Sequence, residues 1–245
     1  SETPSGKNEI HVFDLTRGIG SELNVGNLPT SQPGWSADGR YVILSITPGD
    51  ASTSSVVRIA VDGSGVEDTL MHGFLGRQAV SHDGRTLVLQ ATPDLSKPES
   101  NIYISTNGGP VAELPHFRSA LDPALSPDGH WIAYERTNDP QFPLVIERFP
   151  EGGPTTLVAS TGGYEPIFSA KGDRLFYRVG RRVMVATLTP GDAMRVGPST
   201  PYGVDFAFAD FLGRAYRVGN DDRLLVKLLP STAPRSEIRV LAGER

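Results

Sequence analysis

Four polar residues, Gln32, Arg77, Asp122 and Glu165, stand at one recurring place in this 245-residue chain. They lie 45, 45 and 43 residues apart, each four residues ahead of a serine: Ser36, Ser81, Ser126 and Ser169. An amide, a guanidinium and two carboxylates gathered at one level could grip a polar ligand. Two of them, Asp122 and Glu165, are also the residue types that carry out glycoside hydrolysis as an acid and base pair. No sugar-stacking aromatics stand at matching positions, so binding is the expected role and no catalytic residue is assigned.

The remaining chemistry is thin. The serines belong to strings such as Gly34-Trp35-Ser36-Ala37-Asp38-Gly39, which lack the Gly-x-Ser-x-Gly spacing of a nucleophile elbow. The five histidines, His11, His72, His82, His116 and His130, show no metal-ligand spacing. His82 and His130 fall in or beside turns, and His72 and His116 are expected in loops that follow outer strands. Asn220-Asp221-Asp222 lacks the alternating acids of a calcium loop and reads as a degraded turn. No metal or cofactor is expected. Without cysteine there is neither a disulfide nor thiolate chemistry.

Turns and strands must hold the four polar residues in place. In Ser126-Pro127-Asp128-Gly129, proline presets φ, aspartate can bond its own backbone, and glycine accepts positive φ. An alternating run follows, in which Trp131, Ala133 and Glu135 point one way while Ile132, Tyr134 and Arg136 point the other. Copies lie at 36–39, 81–84, 169–172 and, degraded, 219–222. Counted on the third turn residue, the steps are 45, 45, 43 and 50 residues. Each unit continues with a second β-rich run, a turn such as Asn107-Gly108-Gly109, and a short fourth run. A period of about 40–45 residues with four strands per unit predicts an all-β propeller of four-stranded antiparallel blades.

Four complete units occupy about 31–71, 76–115, 121–160 and 164–200. The ends are incomplete in complementary ways. Ile10–Leu15 and Gly20–Val25 resemble third and fourth strands; Ala215–Val218 and Leu224–Leu228 resemble a first and a second. Joined, they would make a fifth blade that closes the ring without an open edge. Five blades are therefore expected, with a chain cut inside a propeller of six or more as the alternative. Glu237–Leu241 adds one further strand, and 201–214 is a candidate extra edge strand. Residues 1–8 read as a linker or tail, and 9–245 as one propeller domain.

The Pro-x-(Trp/Leu/Phe)-Ser-Pro-Asp-Gly pattern with its Ile-Ala-Tyr strand resembles the WD-like repeat of TolB-type propellers over residues 9–228. The tail resembles the C-terminal end of propellers carried by bacterial receptor-type Ser/Thr protein kinases. Arg214-Ala215-Tyr216-Arg217-Val218, Arg223-Leu224-Leu225-Val226-Lys227 and Glu237-Ile238-Arg239-Val240-Leu241 carry that likeness. The departures are Lys171 in place of the turn aspartate and Gly219-Asn220-Asp221-Asp222 in place of Ser-Pro-Asp-Gly. The resemblance implies a sensory or binding module, outside the cytoplasm or in the periplasm, with any kinase chemistry elsewhere.

The expected partner is a protein, a peptide or a small molecule at the axial channel, on a rim of Gln32, Arg77, Asp122 and Glu165. The alternative is a glycoside-hydrolase-like or peptidase-associated propeller. A net charge of −5 without a basic patch argues against nucleic acid. No apolar run approaches the roughly 20 residues that span a bilayer.

Overall fold

The computed structural model describes residues 10–14, 17–23, 30–36, 38–49, 53–81, 83–92, 99–203, 205, 215–228 and 237–241. Residues 1–8, His82 and most of the candidate edge strand at 201–214 lie outside them. The chain divides into two compact units, Ser1–Glu113 and Leu114–Arg245.

In the first unit, β1 (Ile10–Asp14) and β2 (Ile19–Leu23) form a two-stranded ribbon. Two four-stranded sheets follow. The A blade comprises β3 (Thr30–Trp35), β4 (Tyr41–Ile46), β5 (Ser55–Ala60) and β6 (Gly65–His72). The B blade comprises β7 (Phe74–Val80), β8 (Thr86–Thr92), β9 (Asn101–Thr106) and β10 (Ala112–Arg118). The unit boundary falls inside β10. Alternation makes each strand two-sided. Val42 and Leu44 face the ribbon's Leu23, whereas Ile43 and Val56 pack with Leu89, Ala91 and Tyr103 of the B blade. Side chains this buried contribute roughly 1.5–3 kcal/mol each.

The second unit repeats the plan. The C blade is β11 (Ala120–Leu125), β12 (Trp131–Arg136), β13 (Leu144–Arg148) and β14 (Thr156–Ala159). The D blade is β15 (Tyr164–Phe168), β16 (Arg174–Val179), β17 (Arg182–Thr189) and β18 (Arg195–Pro201). The E sheet is β19 (Tyr216–Val218), β20 (Leu224–Leu228) and β21 (Glu237–Leu241). Trp131, Ala133, Leu144 and Ile146 meet Leu175, Tyr177 and Ala186 between the C and D blades. On the opposite face of the D blade, Phe176 and Val183 meet Tyr216, Leu224 and Val226. Successive meandering sheets stacked face to face are propeller blades, and the fold is an all-β propeller fold.

The last sheet departs from expectation. The strand paired to the outer edge of β20 is β21, in the register Leu224↔Leu241 to Leu228↔Glu237. The sequence reading assigned that place to the N-terminal run, which instead pairs within its own ribbon. A second correction concerns two histidines: His72 and His116 sit in the fourth strands β6 and β10 rather than in the loops that follow.

Candidate functional site

The turn serines build the scaffold. Ser126 Oγ accepts the N–H of Trp131 at 3.0 Å and donates to Asp128, whose Oδ1 also accepts the N–H of His130 at 3.1 Å. The same bonds join Ser36, Asp38 and Tyr41, and Ser81, Asp83 and Thr86. These donors hold Asp38 and Asp83 below the ordinary carboxylate value. Lys171 occupies the aspartate position of the fourth copy, yet the network survives, because Asp173 accepts the hydroxyl of Ser169 from beyond the glycine. In the degraded copy Asp222 takes the glycine's left-handed place at φ 62°, and its carboxylate binds Arg174 of the D blade. Each turn ties the first strand of its blade to the second, so residues at fixed offsets from it hold equivalent places within their own blades.

Gln32, Arg77, Asp122 and Glu165 all lie inside first strands, at a β-bulge that recurs in every complete blade. The ladder skips between Ser31 and Gly34, Leu75 and Gln78, Leu121 and Ala124, and Tyr164 and Ile167. Such bulges bend a strand and re-aim its side chains. Asp122 and Glu165 take left-handed backbone, φ 52° and 56°, an uncommon geometry for residues other than glycine. The sequence reading placed these residues just before the inner strands, whereas the structure places them within β3, β7, β11 and β15.

A second polar residue sits at the same level on each second strand: Ser45, Gln90, Glu135 and Arg178, nine residues after the turn serine. Ser45, Gln90 and Glu135 are buried. These positions were missed by the sequence reading. The signal was present as a polar residue recurring in an otherwise apolar alternating strand.

In the second unit the two sets meet. Glu135, only 2% exposed, hydrogen-bonds the Asp122 carboxyl, and its Oε1 accepts the backbone N–H of Glu165 at 3.3 Å. Burial and the adjacent Asp122 push Glu135 up to about 9, which favours its neutral form. Glu165, 3% exposed, accepts from Arg178 Nε at 3.3 Å and from the N–H of Ala215 at 3.2 Å. The Tyr216 hydroxyl donates to the backbone carbonyl of Glu165 at 2.8 Å. Glu165 thus links the second strand of the C blade, through Glu135, to the D blade and to Ala215 at the start of the E sheet, and is buried, whereas Asp122 stays half-buried. The Arg178 guanidinium lies 5.5 Å from the ring centre of Tyr164, which is 37% exposed. The outcome is an exposed Tyr164 ring with Asp122 and Arg178 half-buried, over the buried acids Glu135 and Glu165.

In the first unit Arg77 is half-buried at the bulge of β7, and the amide of Gln78 donates to the Ile43 carbonyl at 3.2 Å. Gln32 lies in the bulge of β3.

No protein-family profile and no curated protein matches the chain. Solved structures do. A TolB-type protein from Agrobacterium tumefaciens superposes with a TM-score of 0.67 at 16% identity, over 96% of this chain and 88% of that one. The β-propeller domain of Cps50 (Swd1) from Myceliophteria thermophila gives 0.65 at 10% identity, over 98% and 79%. TolB from Acinetobacter baumannii gives 0.62 at 13% identity, over 95% of this chain and 56% of that one. At these identities the likeness shows the fold.

Proposed function

We propose that the chain is a non-catalytic binding module, with 9–245 as one propeller domain, that takes a protein or peptide segment at the bulge level of its first strands. The observation that carries this is the surface formed by Asp122, Tyr164 and Arg178, held by Glu135 and Glu165 beneath. Tyrosine and arginine on a fixed base are the residue types that dominate protein-binding energetics, and a carboxylate beside them supplies a charged partner for an N–H or ammonium. The fold likeness to TolB-type and Cps50 propellers supports a module of this kind by analogy alone.

The engagement of both candidate acids, Asp122 and Glu165, in bonds within the fold favours binding over glycoside hydrolysis. The two carboxyls that flank a scissile glycosidic bond stand about 5–9.5 Å apart. Asp122 and Glu135 share a hydrogen bond, and Glu165 is occupied by Arg178 and a backbone N–H. The resemblance of the tail to kinase-linked propellers supports an extracytoplasmic sensory role within a longer bacterial signalling or envelope protein.

Peptides selected from a random display library on the wild-type protein test the reading. Asp122→Asn, which removes the charge and keeps a hydrogen-bond partner for Glu135, and Tyr164→Ala are expected to weaken the selected peptides about tenfold or more while leaving the melting temperature nearly unchanged. Arg77→Ala reports independently on the bulge of the first unit. Unchanged peptide affinity in both second-unit variants, or a collapse of stability in Asp122→Asn, would show the cluster to be a structural latch only.

A further inference from the structure

A second site lies between the A and B blades. A cavity of about 300 Å³ opens there, floored by Ile43, Leu70 and Leu87 and walled by Asp38, Arg58 and Arg85. Arg58 lines it. Its guanidinium stacks 4.9 Å from the ring centre of Tyr41, and its Nη2 reaches Asp68 at 3.3 Å. Its Nε is buried and, among the described residues, has no hydrogen-bond acceptor. A buried guanidinium N–H left in that state is costly, and an acceptor entering the cavity would satisfy it.

The corresponding place between the C and D blades also holds an arginine stacked on an aromatic ring. There a cavity of about 270 Å³ is lined by Trp131, Lys171, Pro190 and Met194. Arg148 stacks 4.3 Å from the Trp131 ring centre, and its Nη2 donates to the Gly191 carbonyl at 2.7 Å. The turn that supplies Gly191 lies between the third and fourth strands of the D blade. In the B blade that turn contributes Asn107 and Gly108 to the cavity wall, while the Arg58 Nε stays unmet.

We propose that the cavity between the A and B blades binds a free apolar α-amino acid. The carboxylate would take the Arg58 Nε edge, with Arg85 beside it at the mouth. Arginine presents paired N–H groups to a carboxylate, which suits it to this recognition. The ammonium would face Asp38, one oxygen of which already accepts the Ser36 hydroxyl and the Arg40 N–H. The apolar side chain would lie on Ile43, Leu70 and Leu87. Both signs of charge above an apolar floor fit a zwitterion with a hydrocarbon side chain, and the volume is at the lower end of small-molecule pockets.

The test is an NMR titration of the full chain with L-leucine, reading backbone amides and the arginine Nε–H signals. L-Leucine is expected to shift the Arg58 Nε–H and the amides around Ile43 and Leu70 saturably, with leucinamide and 4-methylpentanoate each binding more weakly. Arg58→Lys keeps the charge but loses the paired donors, and weakens L-leucine about tenfold. Leu70→Phe fills the cavity from its floor without replacing Arg58, and abolishes the shifts. Absence of saturable shifts with L-leucine overturns the proposal. So does leucinamide binding as tightly as L-leucine, or Arg58→Lys binding as tightly as wild type.

Discussion

Glu135 occupies a strand whose neighbouring residues, Trp131 to Tyr134, are buried and mostly apolar. A carboxylate cannot stay charged there beside Asp122, and holding its proton is what makes the position tolerable. The consequence is a pH-dependent stability. In the unfolded chain Glu135 ionises near its ordinary value of 4.5, whereas in the fold it does so near 9. Between those values the folded state holds the extra proton, so stability is complete below about pH 4.5 and falls as pH rises toward 9. The slope contributed approaches about 1.4 kcal/mol per pH unit. Glu135→Gln keeps the hydrogen bonding of a neutral acid and removes the titration. Urea unfolding at pH 5 and pH 8 should therefore show a smaller loss of stability in the variant than in wild type, and equal losses would disprove the protonated assignment. Little of this was legible in the sequence. The direction of Glu135 follows from alternation, but its burial depends on Glu165 arriving from the next blade.

At the scale of the element, the turns carry the fold and were readable, because serine, aspartate and glycine each do a local job. Ser126 is the strictest case, since its hydroxyl is the acceptor for the buried Trp131 N–H. Ser126→Ala orphans that N–H and is expected to cost about 1–3 kcal/mol in denaturant unfolding. Ser36→Ala should cost less, because Tyr41 is only half-buried and Asp38 is exposed, so that water replaces part of what the hydroxyl supplied. Equal costs at the two sites would mean that the hydroxyl does not act through the N–H. The bulges were not readable. Nothing in Leu121-Asp122-Pro123-Ala124 announces that two residues oppose one, and only pairing with β12 reveals it. For the same reason Lys171 looked like a broken turn: the substitute carboxylate of Asp173 comes from the far side of Gly172.

Across the whole chain, the spacing of the turns made the blades evident, because a period of about 45 residues admits few other all-β arrangements. The identity of the third strand in the last sheet was not evident. Ile10–Asp14 and Glu237–Leu241 are both short, alternating and apolar enough to pair with β20, and composition does not choose between them. The functional reading rests on the same periodicity, since the bulge residues and their second-strand companions recur with the blades. Amide NMR mapping of a library-selected peptide tests it most directly. The account predicts shifts concentrated at Asp122, Glu135, Tyr164 and Arg178, lost in Asp122→Asn. Shifts confined to the Ser-x-Asp-Gly turns, with those residues unmoved, would contradict it.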